Sequence, residues 1–401
     1  MTGELVVVLE VVTAMLLVAT VVADLARRTP IPESIALVLV GLGGAIAFPT
    51  IRFGISADVV LLILVPGLVF EAAYDLRWAE IRSVLGALVT LAIPGVFLSA
   101  AVVALVLHVV IGLPLVLAFV VGSITAATDP VAVIAVFGRL SVPARLRTLV
   151  EGESLLNDGT GLVLFSLALR AADGHLSLGE AASLFSVTVL VSIAVGLVGG
   201  FVAAQLIQRT DQTVIQLTAS VVLAYGTYEV ASTFGLSGIL ATVVSAALLG
   251  GLMRRHAPRA GIVEDFDVFW GTLAFALTSV TFLLLGFAIE LPSLVGAVGA
   301  IIAGTAAVIV ARAGLVYVPV LLLRARGRRV PGGWAHVLFW SGLRGAIALA
   351  AALAIPPGTP DRSLLQEISF GIVLVTLFVQ GGSAPFLIRR VLARAAAEDA
   401  A

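Results

Sequence analysis

The sequence predicts an all-α polytopic membrane protein: about thirteen transmembrane helices in two inverted-topology repeats, with broken helices at the midplane. Three observations predict it. Of 401 residues, 60% are hydrophobic and 12% charged, with a mean hydropathy of +1.17; a soluble globule of this size needs far more charge to cover its surface. Apolar runs of about 17 to 25 residues, the length that crosses roughly 30 Å of hydrocarbon, recur along the whole chain. Two runs are interrupted by helix-breaking residues, at Thr128-Asp129-Pro130 and at Ser341-Gly342-Leu343-Arg344-Gly345-Ala346.

The runs begin near Leu5, Ile31, Val59, Val84, Leu113, Leu149, Leu184, Val214, Ser237, Trp270, Val295, Trp334 and Ile368. Met1-Thr2-Gly3-Glu4 has no basic region and no small-residue cleavage site follows, so the first run reads as a retained helix. Arginines gather in alternate connections: Arg27 and Arg28; Arg77 and Arg82; Arg139, Arg145 and Arg147; Arg209; Arg254, Arg255 and Arg259; Arg324 to Arg329; Arg389, Arg390 and Arg394. The other connections hold Arg52, Arg170 and Arg362. The positive-inside rule then puts the N-terminus outside and the C-terminus in the cytoplasm of a plasma-membrane protein, which requires an odd number of crossings. No connection is long enough for a soluble domain. Residues 1–401 therefore read as one membrane domain, with a first six-helix repeat over 1–170, a linking helix over 181–208, a second inverted repeat over 212–390 and a short cytoplasmic tail over 391–401. In that division the interrupted fifth run corresponds to the interrupted twelfth, the pattern that marks a transporter's midplane site.

Composition excludes other chemistries. There is no cysteine, hence no disulfide or thiolate metal site. The four histidines, His108, His175, His256 and His336, lack paired ligand spacing. A net charge of −1 gives no footprint for nucleic acid.

The chemistry concentrates in two stretches. Pro130 has no N–H and pushes Asp129 out of the helical region, while Thr125 and Thr128 offer hydroxyls to freed carbonyls. Unwound backbone at membrane depth survives only inside protein or along a wet cavity, so Asp129 should face one. In Glu151-Gly152-Glu153-Ser154-Leu155-Leu156-Asn157-Asp158-Gly159, a continuous helix puts Glu151, Ser154, Asp158 and Gly161 on one face and Glu153 and Asn157 on an adjacent row. Acids at this depth are costly and point to function. A carboxyl taken out of water holds its proton more tightly, and its ionised oxygens are hard ligands for a small cation such as sodium. Asp129 and Asp158 can thus bind a proton or a cation at one site, against the competing role of carboxylates locked to a base. Ser154 and Thr128 could complete the cation's shell, or simply bond their own helices. Asn157 supplies an amide where an acid or base would change the charge carried. Arg344 needs an acid partner near mid-membrane, and Glu153 is the nearest candidate for a structural ion pair; Arg312 needs one too, and the sequence does not choose it. Glu71, toward the cytoplasmic end of the third run, is a candidate entrance acid. Glu229 reads as structural, and His256, among arginines, as a solvated loop residue.

These stretches resemble the monovalent cation/proton antiporters of the NhaP type, related to animal sodium/proton exchangers. Ala127-Thr128-Asp129-Pro130-Val131-Ala132-Val133 is similar to the family's broken-helix motif, and residues 142–159 to its loop and ion-site helix. Ser237-Gly238-Ile239-Leu240-Ala241, Phe282-Leu283-Leu284-Leu285-Gly286 and Gly342-Leu343-Arg344-Gly345-Ala346 match in order, so the resemblance spans essentially the whole chain. It implies a homodimer in which a core domain moves against a dimerisation domain. Asp158 is implied as the carboxylate for Na+ and H+, helped by Ser154, Asp129 and the Thr128 backbone, with Glu71 behind them. The Asn157-Asp158 pair resembles electroneutral members, which implies one proton per cation. No cofactor is implied beyond the transported Na+ and H+; the partners are those ions, the lipid bilayer and a second copy. Many relatives carry a long regulatory cytoplasmic domain that has no counterpart after Leu387, so any pH response is expected from the membrane part.

Three other readings compete: a potassium-selective or broadly monovalent antiporter, an intramembrane aspartyl protease, and a passive channel. The protease needs both acids on regular helices and the sequence has no Gly-x-Gly-Asp beside either; the channel predicts uncoupled flux.

Overall fold

In hydrocarbon a chain must satisfy its own backbone hydrogen bonds, and among the described residues every regular element is helical. The computed structural model describes residues 2–29, 31–48, 57–129, 133–134, 137, 142–174, 176–255, 261–327 and 333–399, and side chains within these except at 2–9, 27 and 394–399. Pro130, Val131, Ala132, Arg52, Arg139, His175, His256, Arg259, Arg328 and Arg329 lie outside the described residues.

The helices are α1 (Thr2–Arg27), α2 (Glu33–Ala47), α3 (Val59–Tyr74), α4 (Trp78–Ile111), α5 (Leu115–Ala126), α6 (Ala144–Ala172), α7 (Leu178–Gln208), α8 (Thr213–Thr233), α9 (Gly238–Arg255), α10 (Ile262–Ala288), α11 (Leu291–Gly296), α12 (Val298–Ala325), α13 (Trp334–Trp340), α14 (Ala346–Leu353) and α15 (Arg362–Ala393). By length and apolarity, α4, α7, α8, α9, α10, α12 and α15 can each cross a bilayer, and α2, α3 and α5 are shorter apolar helices. The twelfth run is split: α13 ends at Trp340, residues 341–345 are not helical, and α14 starts at Ala346. This is the second interruption the glycines of that run predict. The fifth run is interrupted as well, since α5 ends at Ala126 and Ala127 to Asp129 leave the helix.

Two groups of helices emerge from the packing. In one, α5 lies against α4 and α6, α12 against α4 and α15, and α14 against α5 and α15. In the other, α10 lies against α1 and α2, while α9 lies against α3, α7 and α8. The groups meet where α6 touches α3 and α9 and where α14 touches α3 and α10. Lipid tails are as apolar as leucine, so close backbone approach must hold such helices together, and small residues permit it. A Cβ on Gly41 of α2 would overlap the Leu283 carbonyl of α10, and one on Gly286 would overlap the Val38 carbonyl of α2.

Among the described residues, three helices contain a π turn, at Val59–Leu64, Leu91–Gly95 and Leu377–Gly381. The wider turn frees carbonyls, and hydroxyls from neighbouring helices take two of them: Tyr225 Oη donates to Ile63 O at 3.0 Å and Thr160 Oγ1 to Ala92 O at 2.8 Å. Pro94 lies within the second of these turns, where its missing N–H does least harm.

Filling the α2–α10 contact should therefore cost stability. Gly286→Leu is expected to lose about 1–3 kcal/mol through overpacking, whereas Gly43→Leu, whose Cβ meets nothing within 4 Å, should be neutral. Thermal loss of monodispersity in detergent, followed by size-exclusion chromatography, measures both.

Candidate functional site

The two interruptions are joined to each other. The N–H of Asp129, freed when α5 unwinds, donates to the carbonyl of Leu343 in the break between α13 and α14 at 2.9 Å. An amide freed by one break thus meets a carbonyl freed by the other. The fit is close: a Cβ on Gly345 would overlap the Asp129 carboxyl, and one on Gly342 would overlap the Arg312 side chain. The glycines flanking Arg344 are there because other side chains occupy the space a Cβ would need. On the far side of the break, the Arg344 N–H donates to Thr376 Oγ1 of α15 at 3.3 Å.

Across from the first break runs α6. Ser154 Oγ donates to the Thr128 carbonyl, Asn157 Nδ2 reaches Thr128 Oγ1 at 3.5 Å, and the Thr128 amide faces the Asp158 carboxylate. One residue of the unwound segment therefore meets three positions on one helix. Thr128, Ser154, Asn157 and Asp158 are all buried. Two residues beyond Asp158, Thr160 holds the π turn of α4, which fixes α6 from its other side.

A cavity of about 440 Å³ ends at this floor. Thr128, Asp129, Ser154 and Asp158 line it, and its charged wall comprises Glu33, Glu71, Asp75, Arg147 and Glu151. On α6, Glu151, Ser154 and Asp158 of the predicted face line it, with Arg147 one turn before them, whereas Gly161, the fourth member of that face, is not among the lining residues and packs against Ser123 and Ala127. Glu151 Oε1 pairs with Arg147 Nε at 2.8 Å, and Asp75 Oδ1 with Arg254 Nη2 at 3.1 Å. Carboxylates thus outnumber bases along a path that leads from α2, α3 and the start of α6 to Asp158. Glu71, the candidate entrance acid, is on that wall. Glu229 is exposed and accepts from Thr233 Oγ1 at 3.4 Å, away from the cavity.

The expected Glu153–Arg344 pair is not formed. Glu153 is clamped by Arg312 of α12, whose Nη1 and Nη2 each donate to one carboxylate oxygen, the second at 2.8 Å. Arg312 Nη2 also donates to Leu338 O at 2.7 Å, and Glu153 Oε1 accepts from Asn157 Nδ2 at 2.8 Å. The reason is steric: Gly342 leaves room for the Arg312 side chain to pass the break and reach α6. Arg344 instead turns back to its own segment, donating from Nη1 to Gly342 O at 3.1 Å. The partner the sequence left open for Arg312 is therefore the acid assigned to Arg344. Thr160 and Thr376 were not singled out by the sequence, where a buried hydroxyl in an apolar run looks like any other.

Two interrupted helices joined at their breaks and flooring a carboxylate-lined cavity define a secondary transporter of the membrane. The chain belongs to the sodium/hydrogen exchanger family: the model of the sodium/hydrogen exchanger transmembrane region matches residues 12–390. It is 37% identical over 360 residues to the Na(+)/H(+) antiporter ApNhaP of Aphanothece halophytica, covering 88% of this chain and 68% of that one. It is 33% identical over 395 residues to the low-affinity Na(+)/H(+) antiporter NhaS1 of Synechocystis, covering 95% of this chain and 74% of that one. The fold is similar to that of the sodium proton antiporter MjNhaP1 of Methanocaldococcus jannaschii, with a TM-score of 0.77 at 21% identity, covering 97% of this chain and 99% of that one.

Breaking the Glu153 clamp should be expensive, because it strands a buried guanidinium. Glu153→Gln is expected to cost about 3–5 kcal/mol, and Arg312→Lys should not preserve the clamp, since an ammonium lacks the two-pronged geometry. A double-mutant cycle on thermal stability should give strong coupling between Glu153 and Arg312 and much weaker coupling between Glu153 and Arg344.

Proposed function

We propose that this chain is a secondary active antiporter that exchanges Na+ for H+, one for one, with the two ions competing for Asp158. The observation that carries the reading is the cavity whose floor brings together the Asp158 carboxylate, the Asp129 carboxylate, the Ser154 hydroxyl and the Thr128 carbonyl. Those are hard oxygen ligands of the kind a small alkali cation takes. They lie in a chain of the exchanger family whose relatives carry the name Na(+)/H(+) antiporter.

The steps follow from competition. From the cavity, Na+ displaces the proton of Asp158, and the Ser154 and Thr128 oxygens replace part of its water shell. The loaded site then changes sides, Na+ leaves, and Asp158 returns carrying a proton. Coupling requires that the unloaded carboxylate not cross, which its charge in a low-dielectric interior enforces. Asn157, neutral and held by Glu153, adds no charge of its own to either crossing. Glu71 and the other acids of the cavity wall raise the local cation concentration at the entrance.

The helix group containing α4, α5, α6, α12, α14 and α15 carries the site and moves against the group containing α1, α2, α3 and α7–α10, which also forms the contact between two copies. The protein lies in the plasma membrane with its N-terminus outside and its C-terminus in the cytoplasm, so the cavity opens to the cytoplasm. A potassium-selective or broadly monovalent exchanger is the second reading, since the same oxygen ligands serve either ion.

The test is reconstitution into vesicles containing a pH-sensitive dye, with an imposed proton gradient and sodium, potassium or lithium added in turn. Sodium-dependent dissipation that clamping the membrane potential does not alter, and that Asp158→Asn abolishes, is the expected result. A response surviving in Asp158→Asn would overturn the assignment of the site. A preference for potassium would select the second reading.

A further inference from the structure

At the end of α6 away from Arg147 lies a second cavity, of about 340 Å³, within the size range of small-molecule sites. Residues 162–170 of α6 contribute one wall, and α7, the end of α8 and the turn into α9 contribute the rest. Arg170 is the one charged side chain among the described residues that line it, and it makes no ion pair there. The carboxylates nearest in sequence to its lining, Asp173 and Glu229, are exposed and are not part of that lining.

The polar groups of this wall converge as hydrogen-bond donors. Tyr228 of α8 is 6% exposed and lines the cavity, and its hydroxyl has no hydrogen-bond partner among the described residues. A hydroxyl withdrawn from water in this way is costly until an acceptor reaches it. Ser232, one turn further along α8, and Thr188 of α7 also line the cavity with hydroxyls that donate to no described residue. The start of α9 adds backbone donors. The Ser237 N–H donates to Ser192 Oγ at 2.9 Å and the Leu240 N–H to Ser237 Oγ at 3.3 Å. The Gly238 and Ile239 amides of the same first turn, both on the lining, are left without a partner among the described residues. Glycine at 238 brings these amides up to the hydroxyls: a Cβ there would lie 2.7 Å from Ser232 Oγ and 2.8 Å from the Tyr228 ring.

We propose that this cavity binds a phosphate-type oxyanion, free in solution or carried by a lipid headgroup, and that the bound anion slows exchange. Arg170 supplies the charge, the Tyr228, Ser232 and Thr188 hydroxyls and the α9 amides supply further hydrogen bonds, and a helix N-terminus favours negative charge. A tetrahedral anion carries acceptors on every side and suits donors dispersed over four helices, whereas a cation meets no carboxylate among the lining residues. The slowing follows from where the donors sit. Arg170 is on α6, the helix that carries Asp158, and the others are on α7, α8 and α9 of the opposing group. One ligand held by both groups resists their relative movement. The slowing rests on the proposed exchange; the binding does not.

Calorimetric titration of the full chain in neutral detergent, with sodium phosphate against sodium chloride at constant Na+ and ionic strength, tests the site. Arg170 is exposed and Tyr228→Phe keeps the ring, so variants at both positions retain the packing. The wild type is expected to bind phosphate, Arg170→Gln about tenfold more weakly and Tyr228→Phe several-fold more weakly, with Arg170→Lys recovering most of the loss. Should phosphate give no heat, thermal stabilisation by phosphatidic acid over phosphatidylcholine, lost in Arg170→Gln, identifies the headgroup as the source and supports the site. Wild type and Arg170→Gln that behave alike in both measurements overturn it. In vesicles at matched buffering, the anion that binds, presented on the face that carries Arg170, should slow sodium-driven proton movement several-fold in the wild type and leave Arg170→Gln unaffected. A wild-type rate indifferent to a bound anion overturns the slowing. A wild type that moves no protons in response to sodium sinks the exchange reading instead, and the calorimetric result still decides the site.

Discussion

A single backbone hydrogen bond, from the Asp129 N–H to the Leu343 carbonyl, is the constraint from which the site follows. Inside hydrocarbon a helix cannot be interrupted unless something answers the exposed amides and carbonyls, and here each interruption answers the other. Two segments far apart in the chain are thereby held together. That contact demands a glycine at 345, because the Asp129 carboxyl fills the space of its missing Cβ. With the breaks fixed, the half-helices α13 and α14 and the end of α5 are fixed, and α6 can lie across them with Ser154 and Asp158 facing the unwound backbone.

The charged residues divide into those that hold this arrangement and those left to work. Glu153 and Arg312 hold it: they are bidentate, buried, and tied further to Leu338 and Asn157. A pair of this kind contributes little net stability over an apolar equivalent, but removing one member is severe, so it fixes geometry more than it adds free energy. Asp158 lies at the cavity floor beside Asp129 and the Thr128 amide. The separation depends on glycine at 342, without which Arg312 could not pass the break to reach α6.

Much of the fold was legible before any coordinate, because the signals are strong and local. A proline after an aspartate in an apolar run, and Gly-Leu-Arg-Gly in another, announce breaks through backbone chemistry that no tertiary context overrides. The spacing of Glu151, Ser154 and Asp158 announces a shared face, and all three line the cavity. The partner of Glu153 was not legible. Two arginines lie in intramembrane runs, and choosing between them depends on which long side chain has a clear path, a question of packing set by one missing Cβ at Gly342. The π turns were invisible for another reason: they lengthen the hydrogen-bonded span by a single residue, too small a change to disturb the periodicity of uniformly apolar runs. Thr160 and Thr376 went unnoticed as well, since Thr160's role exists only once a π turn has freed a carbonyl and Thr376's only once the break between α13 and α14 has freed an amide.

Thr128 meets α6 in three ways: its carbonyl takes Ser154, its hydroxyl faces Asn157 and its amide faces Asp158. Sliding or twisting of α6 against the unwound segment would strain the Ser154 and Asn157 contacts together. The floor of the cavity is therefore stiffened by hydrogen bonds between two elements, while its outer wall is built from side chains of several helices.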